Sequence, residues 1–144
     1  MRQSQLIYTS RPFGFDDQTL NGILLSARHF NVRDGITGAL ICRDDMYLQM
    51  LEGPRNLVTA TFARILRDDR HVEVVGLWSG DTTTRMFADW AMRHDPFRSW
   101  MWTRAEVAQG AVHKASADEI RAVFARVAAE PLSANEEAPS TPAG

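Results

Sequence analysis

Cysteine is almost absent from this sequence: Cys42 is the single one among 144 residues. A framework of disulfides is therefore excluded, and so is a zinc site built from several thiolates. So little cysteine is typical of a protein in a reducing cytoplasm, where we expect this one to work. The histidines show no metal-ligand spacing, and we expect no metal. They are His29, His71, His94 and His113.

Long apolar runs and an excess of basic charge are also missing. No run approaches the roughly 20 apolar residues of a membrane-spanning helix, and residues 1–10 are too short and too polar for a signal peptide. The formal net charge is -2, which provides no overall basic field for nucleic acid or an anionic membrane. We therefore expect binding to neither.

The usual catalytic motifs are absent as well. The sequence contains no Walker loop, no GxSxG and no HExxH, each of which places reactive groups at a fixed spacing. If the protein is active, its chemistry is expected to come from a bound cofactor.

The hydrophobic pattern predicts alternating strands and helices. Strands are predicted at residues 5–9, 36–42, 46–51, 72–78 and 83–92, with a turn at Gly80-Asp81 between the last two. One helix is predicted to begin at Asp16 or Asp17 and to end before Asp34-Gly35. A second is predicted to have Pro54 at its first position and to end at residues 68–71. The order β-α-β-β-α-β-β favours an α+β, ferredoxin-like mixed sheet with two helices on one face.

The chain changes character after His94. Residues 95–102 are aromatic and predicted to be helical, and Ser116 with Glu119 forms a capping-box pattern ahead of an apolar stripe at residues 120–127. That stripe must be buried on the free face of the sheet or on a partner. We expect a sensory or binding domain at residues 1–94, a helical extension at 95–130 and a disordered tail at 131–144.

Three polar residues stand inside or beside apolar elements. Tyr8 and Gln49 lie on predicted strands, and Asn31 follows the first helix. If the first and third strands are neighbours, Tyr8 and Gln49 can meet on the helix-facing side of the sheet. Each also has an ordinary structural explanation, because aromatic residues favour strands, asparagine ends helices and an edge glutamine can face solvent.

Taken together, these residues resemble a known family. The relevant segments are Leu6 to Ser10, Ile23-Leu24, Ser26 to Asn31, Ile36-Thr37-Gly38, Leu48 to Gly53, Asp68 to His71, Arg85-Met86-Phe87 and Trp90-Ala91-Met92. Over about residues 3 to 94 their order and spacing resemble the BLUF family of blue-light sensors.

The resemblance implies FAD held without a covalent bond between the two helices. By similarity, Ile23 and Ile65 are the apolar walls, Asn31 faces the O4/N3 edge of the flavin and Arg70 its O2 side. Asp68 and His71 are further pocket residues. Because no glycine-rich loop is present to hold the phosphates, we expect that FMN or riboflavin can substitute.

The resemblance also implies a mechanism. Excited flavin takes an electron and then a proton from Tyr8, the radical pair recombines, and the amide of Gln49 is left rotated or tautomerised, with a stronger hydrogen bond to O4 and a red-shifted spectrum. Trp90 and Met92, two residues apart on a predicted strand, would share a face and pass the change to residues 95–127. We expect no substrate turnover.

Partners are expected to be separate proteins. In this family they range from transcription regulators to enzymes of cyclic nucleotides, and apolar residues after the sheet favour a homodimer or higher oligomer. Three departures from the family pattern bear on the speed of the photocycle: Cys42 replaces an aromatic residue, Tyr47 a phenylalanine and Ala91 a serine.

Three other functions fit the same fold class. An acylphosphatase-like hydrolase would need glycines in the loop after the first strand, where the chain has Ser10-Arg11-Pro12-Phe13. An interaction module would use Tyr8 and Gln49 only as core residues and would be colourless. A flavin-dependent oxidoreductase would need room for a substrate where Gln49 is expected to lie.

Overall fold

The computed structural model describes residues 3–130, in the order β-α-β-β-α-β-β that the sequence predicts, followed by three further helices. The predicted tail, residues 131–144, lies outside the described residues. The strands are β1 (Gln3–Pro12), β2 (Thr37–Arg43), β3 (Met46–Gly53), β4 (His71–Thr82) and β5 (Arg93–Pro96). The helices are α1 (Asp17–Asp34), α2 (Arg55–Leu66), α3 (Arg104–Ala108), α4 (Ala111–Lys114) and α5 (Ala117–Ala129).

All five strands form one mixed sheet in the order β4-β1-β3-β2-β5. The four longer strands pair antiparallel, and β5 runs parallel to β2. The fold is thus the predicted α+β class. Its centre is β3, every residue of which is buried, because elements cover both faces of the sheet.

Local capping sets the ends of α1 and the start of α5 close to where the sequence predicted them, whereas α2 ends at Leu66, before the predicted residues 68–71. Asp16 is the N-cap of α1 and accepts a hydrogen bond from the Thr19 amide at 2.6 Å. Gly35 ends the helix in the left-handed conformation, with a φ of 67°. Ser116 and Glu119 form the predicted capping box of α5. Pro54, predicted inside α2, is instead its N-cap.

The two faces of the sheet carry separate cores. Helices α1 and α2 cover one face, where Tyr8 packs with Leu24, Leu40 and Leu51. The other face is covered by α5 and the loops before it, and there Ile7, Met50 and Phe87 pack against Ile120, Phe124 and Val127. The apolar stripe of residues 120–127 is therefore buried on this free face of the sheet, one of its two expected locations.

The last third of the sheet differs from the sequence prediction. Gly80 and Asp81, expected to form a turn, continue β4 and pair with Gln5 and Ser4 of β1. Residues 83–92, expected to be a strand, form bends and turns. The final strand begins only at Arg93, so residues 95 and 96, predicted to be helical, belong to it. It also crosses the domain boundary expected at residue 94.

A buried carboxylate holds the irregular segment of residues 83–92 to the sheet. Glu52 is 0% exposed and accepts hydrogen bonds from the backbone amides of Met86, at 2.5 Å, and Phe87, at 2.8 Å. The side chains of Gln5 and Thr37 donate to it as well, at 2.8 and 3.2 Å. Because side-chain hydrogen bonds replace a strand ladder here, the segment is fixed without being a strand.

Candidate functional site

Antiparallel pairing of β1 and β3 brings Tyr8 opposite Gln49. Both side chains point to the face covered by α1 and α2, and both are buried. The Tyr8 hydroxyl donates a hydrogen bond to the Gln49 side-chain oxygen. A buried phenol needs such a partner, and so does a buried amide.

The other end of the Gln49 amide contacts Met92. Its nitrogen donates to the Met92 sulfur at 3.2 Å. Trp90 packs in the core on the opposite face of the sheet, and the Arg93 guanidinium lies over its ring at 5.6 Å from the centroid. The expectation that Trp90 and Met92 share a face is therefore wrong, because the chain turns at residues 90–92 instead of forming a strand.

Helix α1 fixes the backbone on which Met92 sits. Asn31, at the buried end of α1, donates its side-chain amide to the Ala91 carbonyl at 2.7 Å. Arg28, one turn earlier, donates to the Met92 carbonyl at 3.0 and 3.2 Å. Asn31 and Gln49 thus both contact the same short segment from different sides.

A cavity of about 320 Å³ opens between α1 and α2, directly above Gln49. Its lining consists of Ile23, Ser26, Ala27, Phe30, Asn31, Gln49, Leu51, Thr61, Arg64, Ile65, Arg67, Asp68, Arg70 and His71. Every residue that the resemblance assigned to the cofactor is among them except Tyr8, which lies behind Gln49. The size is that of a pocket for a small molecule.

The cavity suits a flat, partly apolar ring with polar edges. Ile23 on α1 and Ile65 on α2 provide aliphatic walls, and the buried amides of Asn31 and Gln49 provide donors and acceptors at the floor. The isoalloxazine ring of a flavin has this combination of faces and edges. The residue types present therefore fit a flavin.

Charge is confined to the outer part of the cavity. The Arg70 guanidinium binds the Asp68 carboxylate through two nitrogens, at 2.7 and 2.9 Å. These hydrogen bonds hold the pKa of Asp68 below its usual range. Deeper in the protein, burial raises the pKa of Tyr8, and the nearby Asp68 charge raises it further. Tyr8 is therefore a neutral phenol that keeps its proton.

His71 forms the inner wall beneath this ion pair. Its Nδ1 lies 2.9 Å from the Ser10 hydroxyl, and its ring centroid lies 6.2 Å from that of Tyr8 and 5.2 Å from that of Tyr47. Burial lowers the pKa of His71 to about 4, although the Asp68 charge acts in the opposite direction. At neutral pH the imidazole is uncharged, so the charge that acts on Tyr8 is that of Asp68 in its pair with Arg70.

Sequence reasoning missed half of the cavity lining. Ser26, Ala27 and Phe30 follow Ile23 by three, four and seven residues, so they lie on the same side of α1. On α2, Thr61 precedes Ile65 by four residues, and Arg64 follows Thr61 by three. Helical spacing from the two predicted wall residues was the signal that could have identified them.

The described part of the chain offers no competing metal centre or membrane segment. Among residues 3–130, no cluster of histidine, cysteine and carboxylate side chains is arranged to hold a metal ion. None of the helices in this range combines the length and the apolarity needed to cross a membrane.

Known proteins are similar to this chain in sequence and in structure. Residues 4–93 match the family described as BLUF, sensors of blue-light using FAD. The dark-state structure of the BLUF protein BlrB is 30% identical, with a TM-score of 0.73 over 89% of this chain and 96% of that one. The ground state of BlsA shares the fold, at 23% identity and a TM-score of 0.77, over 91% of each chain.

A curated relative shows the domain in a larger context. The photoactivated adenylate cyclase subunit beta of Euglena gracilis is 30% identical over 74 residues, which are 51% of this chain and 9% of that protein. The match thus covers a small part of the relative. Since the family match spans more than half of the chain and includes the Tyr8–Gln49 pair, this protein belongs to the BLUF family of blue-light sensors that use FAD.

Proposed function

We propose that this chain is a blue-light photoreceptor that binds FAD without a covalent bond and reports illumination through Gln49. The observation that carries the proposal is the Tyr8–Gln49 hydrogen bond at the floor of a cavity between two helices. When bound, the flavin supplies absorption of blue light and a redox-active ring. The protein supplies its position and a hydrogen-bond network that can change.

The proposed binding roles follow from the lining. Ile23 and Ile65 hold the faces of the ring. The Asn31 amide, oriented by its bond to Ala91, presents its remaining hydrogen-bonding groups to one edge, and Arg70, held by Asp68, donates at another. His71 is neutral and closes the inner wall.

Tyr8 and Gln49 are the proposed photochemical pair. With a flavin bound, Tyr8 would supply it with an electron and a proton after light absorption and would take both back afterwards. The hydroxyl proton is held in the hydrogen bond to the Gln49 oxygen. Gln49 accepts from Tyr8 at its oxygen and donates to Met92 from its nitrogen. Rotation or tautomerisation of the amide would alter both contacts together, because the same three-atom group makes them.

We propose that the altered amide acts on the C-terminal region through Met92. Met92 is followed by β5, whose first residue, Arg93, donates to the Glu130 carbonyl at 2.8 Å. Arg93 also pairs with Asp95 at 3.0 Å, with both side chains buried. Glu130 is the C-cap of α5. A displacement of Met92 is therefore coupled to the end of α5.

In this proposal residues 1–94 sense light and residues 95–130 carry the output to a separate protein. We propose no substrate turnover for this chain. If the chain forms a homodimer, one assembly contains the ends of two α5 helices. Deletion from residue 95 is not a usable test, because it removes Ile120, Phe124 and Val127 from one of the two cores. Substitution of Arg93 tests the path without removing the core.

The test of photoreception compares the two tyrosines of the helix-covered face. The native chain, Tyr8→Phe and Tyr47→Phe are each loaded with FAD, and absorption is recorded before and after blue light. We expect a small, reversible red shift in the native chain and in Tyr47→Phe, and none in Tyr8→Phe. An identical shift in Tyr8→Phe, or no flavin binding by the native chain, contradicts the proposal.

The output path is tested by hydrogen exchange of the last turn of α5. Blue light is expected to speed exchange of the Glu130 amide, which donates to the Val127 carbonyl at 3.1 Å in the structure. Arg93→Gln is expected to show the fast exchange already in the dark. The control is Arg126→Gln, which removes a charge beside Glu130 but no contact with β5. Equal dark exchange in native and Arg93→Gln protein contradicts this path.

A further inference from the structure

The mouth of the cavity between α1 and α2 concentrates positive charge. Arg64, Arg67 and Arg70 all line it, together with one carboxylate, Asp68. The whole chain has a net charge of -2, so this cluster is a local feature. Side-chain exposure increases from the floor of the cavity, where Gln49 is 3% exposed, to its mouth, where Arg67 is exposed.

The three arginines do not have the same partners. Arg70 is committed to Asp68 through several hydrogen bonds. Arg64 stacks on the Phe30 ring at 4.1 Å from its centroid. Within residues 3–130, neither Arg64 nor Arg67 forms an ion pair or a side-chain hydrogen bond. Two guanidinium groups at the cavity mouth are thus available to a ligand.

Helix α2 accounts for part of this arrangement. Arg64 lies in the last turn of α2 and Arg67 is its C-cap, where the helix dipole favours cations. The dipole does not require both side chains to line the same cavity as Arg70 and Asp68. Burial lowers the pKa of Arg64; Asp34 opposes this effect, and the neighbouring charges of Arg33 and Arg67 add to it. A bound anion would relieve that repulsion.

We propose that Arg64 and Arg67 bind the phosphate of a phosphorylated flavin, so that FMN and FAD are held in preference to riboflavin. The inference rests on the proposed flavin-binding function. A flavin whose ring edge meets Gln49 and Asn31 at the floor extends its side chain toward the open mouth, where the arginines lie. The guanidinium group matches a phosphate with paired donors, and here it replaces the glycine-rich phosphate loop that the sequence lacks.

The test measures the affinity of the flavin-free full chain for riboflavin, FMN and FAD by quenching of flavin fluorescence. Riboflavin and FMN differ only in the phosphate. Two partly exposed ion pairs are expected to make FMN bind about three- to thirtyfold tighter than riboflavin. Raising the ionic strength to about 1 M should reduce that preference, because exposed charges are screened.

The matched variants are Arg64→Gln with Arg67→Gln, and Arg55→Gln as the control at the other end of α2. Arg55 is exposed and pairs with Asp81 at 3.0 Å. The double variant is expected to bind riboflavin as the native chain does and to lose the preference for FMN. The control Arg55→Gln is expected to keep both the native affinity for riboflavin and the preference for FMN. If the double variant loses riboflavin affinity, the single variant Arg67→Gln is used instead. The Arg67 side chain is exposed, so its replacement leaves the packing of the cavity unchanged.

Each outcome separates the inference from the function on which it rests. Equal affinities of the native chain for riboflavin and FMN overturn the inference and leave flavin binding intact. A preference for FMN that persists without the two arginines overturns their assignment. Failure to bind any of the three flavins contradicts the proposed function, and the inference with it.

Discussion

Replacement of Glu52 by glutamine is expected to destabilise the protein strongly despite the nearly identical shape. One carboxylate oxygen accepts from Gln5 and from the Met86 amide, and the other accepts from Thr37 and from the Phe87 amide. A glutamine side chain must turn its NH2 group toward one of these pairs. The Gln5 amide can reverse and the Thr37 hydroxyl can rotate, but a backbone N–H cannot. In either orientation one backbone amide, that of Met86 or that of Phe87, loses its acceptor.

The magnitude follows from the hydrogen bonds lost. A hydrogen bond to a carboxylate contributes about 1.5–3 kcal/mol, and the remaining bonds are weakened because an amide oxygen is a weaker acceptor than a carboxylate oxygen. We expect the free energy of unfolding to fall by about 3–4 kcal/mol, a large share of the roughly 5–15 kcal/mol of a typical domain.

The assay is urea unfolding followed by tryptophan fluorescence, with Glu73→Gln as the control. Glu73 pairs with Arg11, and both side chains are mostly exposed, so its loss is expected to cost less than about 1 kcal/mol. A loss below about 1 kcal/mol in Glu52→Gln as well would refute the argument that this carboxylate anchors residues 86 and 87.

Two further predictions concern the inner wall of the site. Burial lowers the pKa of His71 from its ordinary 6.5 to about 4. Between these two pH values the unfolded chain binds a proton on His71 that the folded protein does not bind. The contribution of His71 to the free energy of unfolding is therefore complete above pH 6.5 and falls by roughly 3 kcal/mol toward pH 4. Urea unfolding between about pH 7 and pH 4 should show this decline in the native protein and a smaller decline in His71→Gln. The same dependence of unfolding free energy on pH in both proteins would contradict the assignment to His71. The Tyr47 hydroxyl has no hydrogen-bond partner among residues 3–130, so Tyr47→Phe should leave the free energy of unfolding unchanged or raise it by up to about 1 kcal/mol. Tyr8→Phe should lower it by about 1–2 kcal/mol, because the Gln49 oxygen loses its donor. A similar loss in both variants would show that Tyr47 is hydrogen-bonded in solution.

The parts of the fold that depend on neighbouring residues were predictable from the sequence. The ends of α1 and the start of α5 follow from short-range hydrogen bonds by Asp16 and Ser116 and from the left-handed conformation of Gly35. The strands up to β3 follow from continuous or alternating apolar residues. The meeting of Tyr8 and Gln49 needed one assumption, that β1 and β3 are adjacent, and their register satisfies it.

The parts that depend on distant residues were not predictable. Gly80 has the composition of a turn but pairs with Gln5, because the long β1 strand continues alongside it. Residues 83–92 have the composition of a strand, yet Glu52 and Asn31 bind their backbone groups and leave none of that segment in the sheet. The position of Trp90 and Met92 on opposite faces follows from those contacts. No local pattern encodes them.

The role of Arg64 and Arg67 belongs to the same category. In the sequence both are ordinary basic residues near the end of a helix, as the dipole favours. Only the packing of α2 against α1 shows that they border the same cavity as Asn31 and Gln49.

A light-minus-dark difference spectrum shows whether Gln49 converts light absorption into a changed hydrogen-bond network. FAD-loaded native protein and Gln49→Leu are recorded in the dark and after blue light, with the exposed Gln18→Leu as the control. We expect all three proteins to bind FAD, the native and control proteins to show a reversible red shift, and Gln49→Leu to show none. A native-like red shift in Gln49→Leu would show that the Gln49 amide is not needed for the light response.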